Sequence, residues 1–304
     1  MTIAHSPLRY PGGKQILGRL LAYLVHCNGA SGGVYVEPYA GGAGVALALL
    51  FGEHVDRVVI NDADACIFAF WRSLLCKTEK FVKLLYKTPI TVQEWSRQRK
   101  IYVHPKQYSE LSVGFATFYL NRCNRSGIIM NGGPIGGQKQ TGKWKIDARF
   151  NRTELERRIR RIALYKDRIS VFNLDAIDLL NSQVDALSRK ERRFVYLDPP
   201  YYAKGRDLYL NYYEHDDHAR LAGHMRRQTK FPWVMSYDNV PQIAALYKDL
   251  RQIRFGLDYT ARERHAGTEL MIFRPDLVFP RQWVRSIPAR FISAADDAPQ
   301  FPGS

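Results

Sequence analysis

The run Phe194-Val195-Tyr196-Leu197, followed at once by Asp198-Pro199-Pro200-Tyr201, constrains this chain more than any other stretch. Four consecutive apolar residues rich in strand formers read as a buried parallel strand. Two prolines then remove the backbone donors that further pairing needs, so the strand stops there and its exit is stiff. Asp198 therefore belongs at the carboxyl end of a strand, where open α/β sheets bind their ligands. Tyr201 and Tyr202 follow directly. A fixed carboxylate, a rigid turn and an aromatic face suit a flat polar ring that carries an exocyclic amine. The plainer reading is a strand ending in a proline turn with an incidental acid, and the rest of the chain must decide between the two.

Val34-Tyr35-Val36-Glu37-Pro38 reads as a first buried strand. The small residues Ala40, Gly41, Gly42, Ala43 and Gly44 come next, then an apolar helix through Val45–Leu50. Strand, glycine-rich turn and helix N-terminus together make a cradle for a nucleoside cofactor. The glycines lack the G-x-G-x-x-G spacing of a dinucleotide site, and Pro11-Gly12-Gly13-Lys14 lacks the spacing of an ATP phosphate loop. Gln15 to Cys27 reads as an amphipathic helix. Val58-Val59-Ile60 is a second strand ending at Asn61-Asp62, with Asp62 placed to accept bonds from ribose hydroxyls and Asp64 suited to cap a helix. Ile169–Phe172 is a further strand, ending near Asp175, and a helix from Ala176 to about Leu187 leads to the strand that delivers Asp198. Asp216 or Asp217 is expected to cap a later helix whose first turn holds His218, which invites a catalytic reading but better suits capping and packing. Phe231–Met235 forms a strand ending at Ser236-Tyr237-Asp238, and the late runs Gln252–Tyr259 and Glu269–Phe273 pair antiparallel. The fold class expected is α/β, a doubly wound and mostly parallel sheet.

From Ala65 to Phe150 strand signals fade, and basic residues interleave with aromatic ones. The expected organisation is a catalytic domain made of residues 1–64 and 151–285, an inserted helical domain at 65–150, and a loose tail at 286–304. Within the insert, Asn121-Arg122-Cys123-Asn124-Arg125-Ser126-Gly127 leads to a Gly/Lys-rich loop, 131–145, read either as a linker or as a hairpin that orders on nucleic acid. Asn151 to Arg168 reads as a helix capped by Asn151 or Thr153; its arginines make either a solvated face or phosphate contacts. Lys plus Arg number 45 and Asp plus Glu 29, a net charge of 45 − 29 = +16. With a pI near 9.7, that balance points to nucleic acid. The four cysteines are scattered without metal or redox spacing, which suggests a reducing, cytoplasmic setting. Neither a membrane span nor a signal-peptide pattern is apparent.

Taken together, Pro-Gly-Gly-Lys at 11–14, Glu-Pro-Tyr-Ala-Gly-Gly-Ala-Gly at 37–44, Asn-Asp at 61–62, Tyr-Leu-Asn-Arg-Cys-Asn-Arg-Ser-Gly at 119–127, Asp-Pro-Pro-Tyr at 198–201 and Ser-Tyr-Asp at 236–238 resemble, in order, the Dam-like DNA adenine N6-methyltransferases. The likeness runs from about Pro7 to Phe273. It implies a Rossmann-like methyltransferase fold with S-adenosylmethionine as cofactor and no metal. The resemblance assigns the cofactor to Tyr10, Lys14, Glu37, Pro38, Ala40, Gly41, Gly42, Gly44, Asp62, Asp175 and Asp198. Within that set Asp62 takes the ribose and Asp175 the adenine amine. Asp198, Pro199, Pro200 and Tyr201 become catalytic, acting on an adenine flipped out of double-stranded DNA. Asn121, Arg122, Asn124, Arg125, Lys139 and Lys143 become the DNA contacts, with the insert reading sequence. A cognate restriction endonuclease is not identified by the sequence. Two other readings stay open: an adenine N6-methyltransferase acting on RNA, and a DNA-binding module that keeps a degenerate cofactor pocket.

Overall fold

In the computed structural model, residues 5–9, 17–187, 190–203, 213–258 and 266–279 are described. Seven strands form one sheet: β1 (Val34–Glu37), β2 (Arg57–Asn61), β3 (Ile169–Phe172), β4 (Arg193–Leu197), β5 (Trp233–Asp238), β6 (Arg251–Asp258) and β7 (Ala266–Phe273). Their order is β3-β2-β1-β4-β5-β7-β6. The first five are parallel, and β7 runs antiparallel between β5 and β6. The strand order therefore reverses between β1 and β4, the position at which an open sheet leaves a crevice beyond its strand ends.

The central strands are buried almost throughout and mostly apolar because both faces are covered, and alternate side chains serve opposite faces. Val34, Val36, Val195 and Leu197 face one core with Trp233 and Met235. Tyr35, Phe194 and Tyr196 face the other. Helices α1 (Leu17–Cys27) and α2 (Gly44–Phe51) pack on the second face; α8 (Ala176–Leu179), α9 (His215–Arg227) and the short helix Pro241–Leu246 pack on the first. Val92–Val103 (α5) and Glu110–Cys123 (α6) follow α3 (Ala65–Cys76) and α4 (Thr78–Lys87) between β2 and α7 (Arg152–Leu164). These helices join the second core without a break, through Phe70, Phe81, Phe115, Phe118 and Ile159. Gly114 lets α3 and α6 cross closely, since a Cβ there would lie 2.4 Å from the Ala69 carbonyl oxygen.

Several boundaries differ from the sequence expectation, each for a local reason. The α7 helix starts after Asn151, whose side chain accepts from the Glu154 N–H, and stops at Leu164, with a tight 3-10 turn covering Lys166–Arg168. The cap of α9 is Glu214, which forms a reciprocal capping box with Asp217, so neither Asp216 nor Asp217 is the cap residue. Past Leu179 the expected helix widens into a π turn over Leu180–Val184. The late antiparallel pair is present and longer on the β7 side, which begins at Ala266. Tyr259, the tail 286–304 and the aromatic loop 208–212 lie outside the described residues. No described helix is long and apolar enough to cross a membrane.

Candidate active site

The loop leaving β1 is held by the strands beside it. Asn61, buried at the end of β2, donates to the Pro38 and Leu174 carbonyls (2.9 and 3.0 Å) and accepts from the Leu174 N–H (2.9 Å), tying the exits of β1, β2 and β3 together. The Ala40 N–H donates to the Asn61 carbonyl (2.8 Å). Glu37 turns back to accept from the Ala46 N–H (3.0 Å) in the first turn of α2, where a carboxylate meets the positive end of the helix. Gly41 donates to Asp62 Oδ2 (3.0 Å) and accepts from the Trp71 indole (2.9 Å). Ala43 takes a left-handed conformation (φ 47°) to end the loop. Among the described residues, nothing lies within 4 Å of where a Cβ on Gly44 would stand, in the first turn of α2.

Asp62 stands beside this loop. One carboxylate oxygen accepts from Gly41 and the other from the Asp64 N–H (2.9 Å), which leaves lone pairs for further donors. Burial, and after it the neighbouring Asp64, push its carboxyl up to about 7, against the pull of those two N–H groups. Asp175 caps α8 through the Ile177 N–H (2.9 Å), and its second oxygen accepts from Arg220 (3.3 Å). Pro38, Ala40, Gly41 and Gly42 are buried or nearly so along the loop. A glycine face at a helix N-terminus beside a carboxylate with spare lone pairs fits the methionine and ribose parts of a nucleoside cofactor. Tyr10 and Lys14 lie outside the described residues.

Across the switch point, Asp198 leaves β4. The Ser236 hydroxyl donates to its Oδ1 (3.0 Å), and the Ser236 and Tyr196 hydroxyls are 2.7 Å apart. Both hydroxyls are buried. The turn that follows is fastened from β5 and β7. Asp238 accepts from the N–H groups of Tyr202 and Ala203 (2.9 Å each), and the Tyr201 hydroxyl donates to buried Glu269. Pro199 is buried and Pro200 partly so. His218 is fully buried, 2.9 Å from the Tyr237 hydroxyl, with its ring against Tyr202 and Tyr213. Burial lowers its pKa to about 4. That is the packing role expected of it.

The residues expected to contact DNA divide into two groups. Asn121 is buried; it accepts from the Arg9 N–H (2.6 Å) and donates to the Arg9 and Gly127 carbonyls (2.8 and 2.9 Å). Asn124, also buried, donates to the Ile128 and Ile129 carbonyls and accepts from the Trp95 indole (2.6 Å). Arg122 is buried with its Nε donating to the Arg149 carbonyl (2.9 Å). Burial, with Arg158, Arg9 and Arg149 nearby, lowers the Arg122 pKa to about 9. The amides that could match base edges are thus spent on backbone groups and the Trp95 indole, which places Asn121, Asn124 and Arg122 as braces between the N-terminal strap, α6 and the following loop. Gly127 permits that strap to pass: its φ is +76°, and a Cβ would lie 2.6 Å from the Arg9 carbonyl oxygen. Arg125, Lys139 and Lys143, by contrast, are exposed. They ride on a fastened loop, in which Asn124 bridges Pro134 and Gln140 bonds to Ile135, Gly137 and Ile146.

Sequence reading named no role for Asn61, Trp71, Tyr196, Ser236, Asp238 or Glu269. Polar residues at strand ends mark Asn61, Ser236 and Asp238, and the signal for Glu269 is an acid heading the apolar run 270–273. Nothing local marks Trp71.

A family model described as D12 class N6 adenine-specific DNA methyltransferase matches residues 10–261. No curated protein matches the chain. Among solved structures, a protein described as a class I S-adenosylmethionine-dependent methyltransferase from Listeria monocytogenes aligns at 12% identity and a TM-score of 0.38. That alignment covers 88% of this chain, which spans 62% of the length of its counterpart. The rRNA methyltransferase AviRa from Streptomyces viridochromogenes aligns at 10% identity and a TM-score of 0.37, covering 88% of each chain.

Proposed function

The chain belongs to the D12 class of N6 adenine-specific DNA methyltransferases, and from that premise we propose that it takes its methyl group from S-adenosylmethionine and acts on an adenine flipped out of duplex DNA. The observation that carries this reading is the placement of Asp198 at the end of β4, across the switch point from the loop 38–44 and Asp62. The loop and the first turn of α2 would hold the methionine part, Asp62 the ribose, and Asp175 the adenine amine of the cofactor. Bound there, the cofactor supplies a methyl group activated by its sulfonium.

The protein's task is to improve the nucleophile. The N6 lone pair of adenine is delocalised into the ring, and N6 of a paired base is hidden in the duplex, so the base must leave the stack. Asp198 accepts one N6–H and the Pro199 carbonyl the other; both draw the nitrogen toward a tetrahedral geometry and stabilise the positive charge that develops there. Tyr201 lies along the flat face of the base, and fixed placement of N6 contributes much of the remaining acceleration. Residues 65–150 would read sequence, with exposed Arg125, Lys139 and Lys143 meeting the duplex while the buried Asn121, Arg122 and Asn124 hold their loop in shape. The test is transfer of labelled methyl to duplex DNA and to RNA of matched sequence. N6-methyladenine is expected in duplex DNA; Asp198→Ala should lower the rate about a hundredfold or more with cofactor affinity retained. Preferential labelling of RNA, or near-normal turnover by Asp198→Ala, would overturn the reading.

A further inference from the structure

We propose that Ser236 and Tyr196 form a directed hydrogen-bond relay that fixes the plane of the Asp198 carboxylate, with Ser236 the positioning residue for the catalytic acid. This rests on the assignment of Asp198 to the target amine. An aspartate carboxylate turns about a broad, roughly two-fold torsion, so its backbone alone does not decide which way its oxygens point. Ser236 gives that torsion a fixed donor: its hydroxyl lies 3.0 Å from Oδ1. The ionised carboxylate only accepts, so the single Ser236 proton is given to Asp198. Ser236 must then accept from Tyr196 across the 2.7 Å contact between their hydroxyls. The Tyr196 phenol is suited to that task, because burial, and next the Asp198 charge, hold its pKa well above the ordinary value and keep it protonated. The relay thus runs from Tyr196 through Ser236 to Oδ1 of Asp198.

The sheet makes this arrangement possible. Leu197 pairs with Met235 in the parallel β4–β5 ladder, so Asp198 and Ser236 leave the last register pair side by side. Tyr196 lies on β4 two residues before Asp198, and the Ser236 hydroxyl meets both side chains. Tyr196 and Ser236 both sit on strands, which hold a positioning contact more rigidly than loops do. The relay shapes the acid without touching cofactor or base directly, so its loss should appear in turnover and not in binding.

The experiment compares Ser236→Ala, Tyr196→Phe and the double variant in single-turnover and steady-state methylation of duplex DNA, alongside cofactor titration and thermal melting. Losing a hydrogen bond to a charged acceptor predicts a kcat lower by about ten- to a hundredfold in Ser236→Ala, with KM for DNA and cofactor affinity within about twofold. Tyr196→Phe, which leaves Ser236 its proton, should lose roughly three- to tenfold. In the Ser236→Ala background, Tyr196→Phe should add less than about twofold, because the relay is already cut. Wild-type kcat in Ser236→Ala, or multiplicative losses in the double variant, would overturn the relay. A crystal structure of Ser236→Ala supplies a readout independent of activity: Asp198 in more than one orientation supports the proposal, and an unmoved carboxylate refutes it. Inactivity of the wild-type chain on adenine would instead count against the function proposed above.

Discussion

Asn121→Ala separates bracing from base reading. In the structure the Asn121 amide makes three hydrogen bonds, to both backbone groups of Arg9 and to the Gly127 carbonyl, and the side chain is buried. Alanine deletes all three and supplies no replacement. At roughly 1 kcal/mol per bond, the variant should be less stable by about 3 kcal/mol, since the groups left behind have little access to water. For a chain of this size each kcal/mol is worth about 2–4 °C, so Tm should fall by about 6–12 °C. Melting followed by circular dichroism measures that. Methylation of a randomised duplex library, run well below the lowered Tm, measures base preference in parallel. Asn121→Asp should be no milder: it keeps the acceptor for Arg9 but loses both donated bonds and buries a charge. An unchanged Tm together with relaxed preference at one base position would refute the bracing assignment and restore Asn121 as a reader.

Tyr201→Phe keeps a stacking ring but loses the bond to buried Glu269, so it should impair capture of the flipped base measurably; Tyr201→Ala should lose a further ~1–3 kcal/mol of stacking. Fluorescence of 2-aminopurine at the target position reports both, and a Tyr201→Phe signal equal to wild type would show that the tether does not matter. Asp62 gives a pH signature: its folded pKa of about 7 lies above the ordinary carboxylate value. The native state therefore holds the proton over the interval between them, and stability of the cofactor-free protein falls as pH rises from about 4 to about 7. Asp62→Asn should flatten that slope in melts across the range, and an identical slope would remove Asp62 as its source. Arg125→Ala should either cost about 1–3 kcal/mol at the preferred site with relaxed choice at one base, or lower the salt slope by about one unit if the side chain meets phosphate. An unchanged sequence preference and salt dependence would take Arg125 off the DNA.

What the sequence determined by itself was the scaffold and the chemistry at the strand ends. Runs such as Val34–Val36 and Phe194–Leu197 announce strands buried on both faces, because only continuous apolar residues survive there. Prolines and glycines immediately after them fix where each strand stops. The sequence thus places Glu37, Asp62, Asp175 and Asp198 on one edge, since parallel strands of one sheet share their carboxyl ends. The tertiary structure decided what those side chains touch. Asn121-Arg122-Cys123-Asn124-Arg125 offers five consecutive residues with no apparent division of labour, yet the end of α6 turns Asn121, Arg122 and Asn124 inward onto backbone and leaves Arg125 exposed. Likewise Ser236 and Glu269 sit 38 and 68 residues from the groups they hold, Asp198 and Tyr201. Local pattern reports which face of an element is apolar; it carries no record of which distant strand becomes the neighbour, and in this chain that neighbour, β5 or β7, orients the acid and the ring.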